Sequence, residues 1–389
     1  MMENTWRNLF RILCLGLATV LAGCGGGGSS GNADGGDAGK QEVVPLAQIR
    51  SPITGKNFTY VSASSYIALE SIAEVAEGIG VTAAAFPGAL ELPGQSGGDR
   101  DPGSAAVPSL GAVMNTAGFQ LVAGVPQKFN CALGGSITFS GVMANQNRLT
   151  KGDEVNIIAE NCRRPDDPTD VDGDLINGAI SLSVREMNGT PGPDSVWSGT
   201  IAVRYDKLVT VSDTGTESLN GDMDVNVSQS ATENQVLAAT GKELRLSQQA
   251  TGKSALELVL RDYRIDARKS GDDLSFGGNF DLSATTPGAG TFLVGVSTGK
   301  PFTVNLDDAM PIAPADGAPP GDGIVQVDVY PSSGQMTMTG AASNATLEAE
   351  RTNEQDRRFI ARLTVEGTSS DGFFSASQSM LWKDLMSEL

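Results

Sequence analysis

From Cys131 onward, apolar side chains return at every second position, and this alternation decides what the chain can fold into. Ile137 and Phe139 alternate with Ser136, Thr138 and Ser140. Ile180, Leu182 and Val184 alternate with Ser181, Ser183 and Arg185. The same reading holds for Ile201-Val203-Tyr205, Met223-Val225-Val227, Leu256-Leu258-Leu260, Phe280-Leu282, Phe302-Val304-Leu306, Val325-Val327-Val329, Met336-Met338 and Phe359-Ala361-Leu363-Val365. A strand with one apolar and one polar face packs on one side only. A parallel sheet would need crossover helices, and no helical period separates these runs, so the sheet is antiparallel.

A weak repeat runs through the alternation. Asn177-Gly178-Ala-Ile-Ser-Leu, Ser198-Gly199-Thr-Ile-Ala-Val and Asn220-Gly221-Asp-Met-Asp-Val share one pattern, and Gly277-Gly278-Asn-Phe-Asp-Leu echoes it. The glycines are spaced 199 − 178 = 21 and 221 − 199 = 22 residues apart. Two strands of about eight residues plus turns fill such an interval, which predicts a hairpin as the unit. Glycine at a recurring strand position marks a bend, and bends at one level curl a sheet. The expectation is a mainly β fold: a large curved antiparallel meander, as a half-barrel or an incompletely closed barrel.

A curled sheet needs cover on its concave face, and Ser62–Gly78 supplies an amphipathic helix for it. Leu69, Ile72, Ala73 and Ala76 form its apolar stripe, with Glu70, Glu74 and Glu77 on the solvent side, where they could meet a basic partner. Ser62 or Ser64 can cap its start and Gly78 its end. Phe86–Pro108 is Gly/Pro/Ser/Ala-rich linker, and Leu110–Ala117 suits a second short helix.

The other organising signal is at the start. Arg7 and Arg11 precede an apolar run from Ile12 to Ala22, which has the length of a signal-peptide core and is half that of a spanning helix. Leu21-Ala22-Gly23-Cys24 follows, and this resembles the lipobox of bacterial lipoproteins. The resemblance implies a diacylglyceryl thioether on Cys24, cleavage before it, and acylation of the new amino group. Each buried methylene contributes about 0.8 kcal/mol, so two or three chains on one cysteine hold a protein on a membrane almost permanently. Gly25 replaces the aspartate that often signals inner-membrane retention in such lipoproteins, which points to the outer membrane. Gly25–Gly39 has no apolar side chain beyond alanine and reads as a flexible tether reaching about 20 Å. The expected organisation is therefore signal peptide 1–23, lipidated tether 24–61, helix and linker 62–130, and β domain 131–389.

Charge and residue counts close off several chemistries. The chain carries 27 basic and 46 acidic side chains. Removing Arg7, Arg11 and Glu3 with the signal leaves 25 against 45, a net −20, so nucleic acid is a poor partner. There is no histidine, which removes Ser-His-Asp and Cys-His catalysis and histidine-containing zinc sites. Cys14 leaves with the signal and Cys24 is capped by lipid. Cys131 and Cys162 remain, and an exported pair reads as a disulfide.

Acidic clusters are what is left for chemistry. Asp166, Asp167, Asp170, Asp172 and Asp174 crowd one loop. Asp170, Asp172 and Asp174 fit positions 1, 3 and 5 of a calcium loop, but Leu175 and Ser181 stand where glycine and glutamate belong. Calcium is the one cofactor the sequence entertains. Glu348 with Glu350, or Asp262 with Asp266, are same-face pairs that could hydrolyse a glycoside, although only 3 Trp and 5 Tyr are present to stack sugars. Ser254 beside Lys253 has no supporting motif. Trp382, near the C-terminus, reads as a core-packing side chain.

Cys131-Ala-Leu-Gly-Gly-Ser136, Gly152-Asp153, Asn161-Cys162, Asn177-Gly178, Tyr330-Pro-Ser-Ser-Gly-Gln-Met-Thr-Met-Thr-Gly340 and Trp382-Lys-Asp-Leu385 together resemble a pattern shared by uncharacterised proteobacterial lipoproteins, across 131–389. Those motifs are turns and cysteines and imply fold rather than activity. The half-barrel outline is also similar to the periplasmic lipoprotein-carrier fold, as a fold-level analogy. The expected function is a monomeric, non-catalytic binding or scaffolding module at the membrane surface, with a lipid or an envelope protein as partner. A carboxylate-dependent glycan hydrolase and a structural or adhesive surface protein are the alternatives, and a concave face filled by the protein itself would favour the last.

Overall fold

The structure is a computed structural model. It describes residues 50–85, 125–145, 148–164, 173–192, 195–212, 215–231, 234–252, 254–305, 310–311, 327–328, 330–352, 359–369 and 372–389. Cys24, the tether up to residue 49, the Leu110–Ala117 helix, Asp166, Asp167, Asp170 and Asp172 lie outside them.

Fourteen strands form one antiparallel meander, each hydrogen-bonded to its sequence neighbours in the sheet and not closed into a barrel. They are β1 (Gln127–Asn130), β2 (Ser136–Val142), β3 (Glu154–Arg164), β4 (Asp174–Gly189), β5 (Trp197–Val211), β6 (Gly215–Ala231), β7 (Asn234–Ala250), β8 (Leu256–Ser270), β9 (Asp273–Thr286), β10 (Gly290–Asn305), β13 (Ser333–Gly340), β14 (Ser343–Arg351), β15 (Phe359–Ser369) and β16 (Gly372–Leu381). Between β10 and β13, β11 (Met310–Pro311) and β12 (Val327–Asp328) make a separate two-residue pair. Among the described residues two helices accompany the sheet, α1 (Phe58–Ala85) and α2 (Trp382–Met386).

The expected eight-residue strands are in fact twice that length. β4 to β8 run 15 to 17 residues each, so every repeat interval holds one bent strand rather than a hairpin. Bulges hide this in the sequence. In β5 the buried positions are odd up to Tyr205 and even from Leu208, and in β8 they are even up to Leu260 and odd from Tyr263. Lys207 and Asp262, at φ 48° and 45°, are the extra residues that reverse the phase.

These irregularities fall on one line across the sheet. The register shifts at Asn161 on β3, Gly178 on β4, Lys207 on β5, between Gly221 and Asp224 on β6, and between Arg261 and Arg264 on β8. The Asn-Gly dipeptides service this line. Gly178 has φ 113°, and a Cβ there would meet the Lys207 carbonyl oxygen at 2.3 Å. Its neighbour Asn177 accepts the Asn161 N–H at 2.7 Å, and Asn220 does the same for the Lys207 N–H at 3.0 Å. Each asparagine thus satisfies a donor that the bulge on the adjoining strand removes from the ladder. Gly199 is off this line, opposite Met187 and Val227, next to a separate register shift between Val184 and Glu186.

The curled sheet wraps around α1, which packs on β6 to β9, on β13 to β15 and on α2. α1 is longer than the expected Ser62–Gly78 at both ends. Its start is an Asn57 turn, where Asn57 Oδ1 accepts the Thr54 N–H at 2.7 Å, so Ser62 and Ser64 are interior positions rather than caps. Residues 50–57 are docked, not tether. Ser51 N–H donates to the Leu293 carbonyl, Ala341 N–H donates to the Ser51 carbonyl, and Arg50 pairs with Asp281 at 2.8 Å. No described helix is long and apolar enough to cross a membrane.

Candidate functional site

The concave face is filled. Ile53, Tyr66, Leu69 and Ile72 of the N-terminal segment are at most 1 % exposed, among Phe276, Phe302, Met336 and Leu363 of the sheet. Trp382 and Leu385 of α2 close the same core, with the Trp382 ring edge-on to Tyr66 at 4.9 Å. The core-packing expectation for Trp382 therefore holds.

The acidic stripe of α1 faces inward, which corrects its assignment to the solvent face. Glu70 and Glu77 are 7 % and 6 % exposed, and Glu74 is half-buried with its Oε1 enclosed. Four- and three-residue steps place Tyr66, Glu70, Glu74 and Glu77 along one edge of the helix. Tyr66 donates its hydroxyl to Glu70 Oε1 at 3.0 Å. Burial pushes the Glu70 carboxyl up to about 7, against the opposing pull of the Tyr66 hydrogen bond. Glu74 is raised well above the carboxylate range by burial, and further by the charges of Glu70, Glu77 and Glu217. Glu77 rises from 4.5 to about 8 through burial, partly offset by Lys269. Burial also raises Tyr66. The physical cause is common to all: removing an acidic group from water disfavours its charged form. Enclosure thus favours the protonated form of each of these carboxyls. Its signal in the sequence was the composition of α1, which has no basic residue in 28 to accompany three glutamates.

On the polar face, beside the bulge line, a groove of about 840 Å³ crosses β3 to β8. Small residues, Ser181, Ser183, Ala202, Thr240 and Gly241, line it together with charged ones. Arg185 pairs with Asp224 at 2.8 Å, Lys242 with Asp262 at 2.8 Å, and Arg204 stands 3.9 Å from Asp222. Tyr263 donates to the Asp222 carbonyl at 2.8 Å, and its hydroxyl fills the space where a Gly241 Cβ would be, 2.3 Å away. Exposed pairs of this kind contribute about 0–1 kcal/mol each. The groove is a neutralised surface, not an ionic trap.

The remaining candidates scatter. Cys131 and Cys162 form the expected disulfide, with Cα atoms 5.4 Å apart, and pin the β1–β2 turn to the bulge line. Asp174 is buried at the start of β4, and its calcium-loop companions lie outside the described residues. Among the described residues no group of three acidic or cysteine side chains could hold a metal ion. Asp262 lines the groove, held by Lys242, while Asp266 is held by Arg264 at 2.9 Å and does not line it. Glu350 pairs with Arg362 on the polar face of the sheet, and exposed Glu348 lies opposite the same arginine. Neither carboxylate pair frames a described cleft. Ser254 is exposed at the entry to β8, and Lys253 lies outside the described residues.

Comparison with known proteins finds no match, whether to a protein-family model, to a curated protein or to a solved structure.

Proposed function

We propose that the protein is a lipid-anchored envelope protein whose β domain is a non-catalytic structural or scaffolding module, the reading that a self-filled concavity favours. One observation carries this reading. The apolar concavity, where a carrier would hold an acyl chain, is occupied by α1 down to full burial of Tyr66, Leu69 and Ile72. Supporting it, the acids of α1 are enclosed and several on the polar face are tied to arginine or lysine, so the surface on offer is a broad polar sheet on an acidic chain. The anchor is Cys24, from its lipobox setting, with the outer membrane as its address.

Two measurements test this. Cys24→Ser should move the protein from the membrane to the soluble fraction, and unchanged fractionation would remove the anchor. Native mass spectrometry of purified protein should show no bound acyl ligand. A stoichiometric lipid would mean that α1 yields its place, and would replace the scaffold with a carrier.

A further inference from the structure

Edge strands in soluble proteins are ordinarily short, charged or covered, because an open row of backbone donors and acceptors recruits another strand. The two edges of this sheet differ in that respect. β1 has four residues and includes Lys128, paired with Glu160. β16 has ten residues, Gly-Phe-Phe-Ser-Ala-Ser-Gln-Ser-Met-Leu, with neither charge nor proline. Among the described residues, it has a strand on one side only, β15.

Its side chains lack cover as well. Phe374, Ala376 and Met380 point toward the core but are only partly buried, and Phe373 on the other face is 72 % exposed. Among the described residues no strand adjoins this margin.

We propose that β16 pairs antiparallel with β16 of a second copy, about a two-fold axis at Ser377. The strand is complementary to itself in that register. Phe373 falls opposite Leu381, Phe374 opposite Met380, Ala376 opposite Gln378 and Ser375 opposite Ser379, while Ser377 meets its own copy. Apolar residues pair with apolar ones at both ends, and serines pair through the middle on one face. A shift of one residue would set Phe374 against Leu381 and bring together side chains that belong to opposite faces. Gly372 falls opposite Trp382, where α2 begins, and a Cβ on Gly372 would meet nothing within 4 Å, so the partner's helix has room to start. Charge selects the same partner. A chain of net charge −19 repels its own copies over most of its surface, and β16 is a margin where neither copy brings a charge. The proposed assembly is a two-fold dimer with a continuous sheet, in place of the monomer expected from the sequence, and the test below decides between them. This inference does not depend on the lipid anchor or on the scaffold reading.

The test uses the full-length chain carrying Cys14→Ser and Cys24→Ser, so that neither an acyl chain nor a free thiol outside β16 brings copies together. Paired residues in a ladder have Cα atoms about 4.5–5.5 Å apart, within disulfide reach. Ser377→Cys should therefore give a disulfide-linked dimer under mild oxidation. Ser375 lies about 14 Å from its own copy in this register, beyond that reach, so Ser375→Cys should remain monomeric. In sedimentation the parent should shift toward twice the monomer mass with concentration. Phe374→Asp should lose that shift while retaining the same circular dichroism. Equal cross-linking at 375 and 377, or none at either, would overturn the proposal. So would a parent that stays monomeric at every concentration, whether its β16 amides are protected from exchange, which would mean that another segment of the same chain covers the edge, or are free.

Discussion

Glu77 supplies the sharpest test of the core, because its carboxyl is nearly fully enclosed and its displacement has one dominant cause. Burial lifts it from 4.5 to about 8, with Lys269 pulling the other way. The folded state therefore binds a proton that the unfolded chain has already released between those two values. Stability must fall as pH rises through that window, since the folded form holds more protons there than the unfolded one. At about 1.4 kcal/mol per pH unit, the wild type should lose roughly 3 kcal/mol between pH 5 and pH 8 from this group alone. Glu77→Gln keeps the size and removes the titration. Urea unfolding of both proteins from pH 5 to 8 should give similar stabilities at the acid end and a widening advantage for the variant toward pH 8. Parallel stability curves would refute the reasoning, because they would place the Glu77 carboxylate in water and the acidic edge of α1 outside the core.

Other perturbations probe the rest of the frame. Reducing or replacing the Cys131–Cys162 pair opens a loop of 162 − 131 + 1 = 32 residues and should cost roughly 3–4 kcal/mol, read as a lower urea midpoint; an unchanged midpoint would show that the pin carries no stability. Gly178→Ala forces a Cβ to within 2.3 Å of the Lys207 carbonyl at positive φ and should cost more than about 2 kcal/mol. Gly199→Ala meets mainly the movable end of Met187, apart from the Glu186 carbonyl at 3.0 Å, and should cost clearly less; equal costs would count against the bulge line. Truncation after Leu381 removes the buried Trp382 and Leu385 and should cost at least the 3–5 kcal/mol typical of deleting one buried tryptophan, seen as loss of cooperative unfolding.

The architecture was legible because period-2 patterning survives within every straight segment, from Ile137-Phe139 to Phe359-Val365. Strand length was not, since Lys207 and Asp262 each insert one residue and turn one long strand into two apparent short ones. The Asn-Gly repeat marked the bend correctly at Gly178 and Gly221, and misled at Gly199, where Ser198 offers no amide side chain to satisfy a neighbouring bulge. The helix was found and misoriented. An apolar stripe normally implies a wet opposite face, but a segment enclosed on all sides buries both. Small residues allow this: Ser62, Ala63, Ser64, Ser65, Ala68, Ala73 and Ala76 let the wall approach closely. The groove on the polar face could not be read, because it joins residues from six strands.

The enclosure of α1 also dictates an order of assembly. The helix is made well before its surroundings: Arg50 reaches its partner 231 positions downstream, Ile53 bonds to Ser343, and Tyr66 meets Trp382. Such long-range closure is slow, and no partial chain can complete it. Until those downstream strands exist, α1 has no wall to pack against, and its enclosed carboxyls have no core to enter.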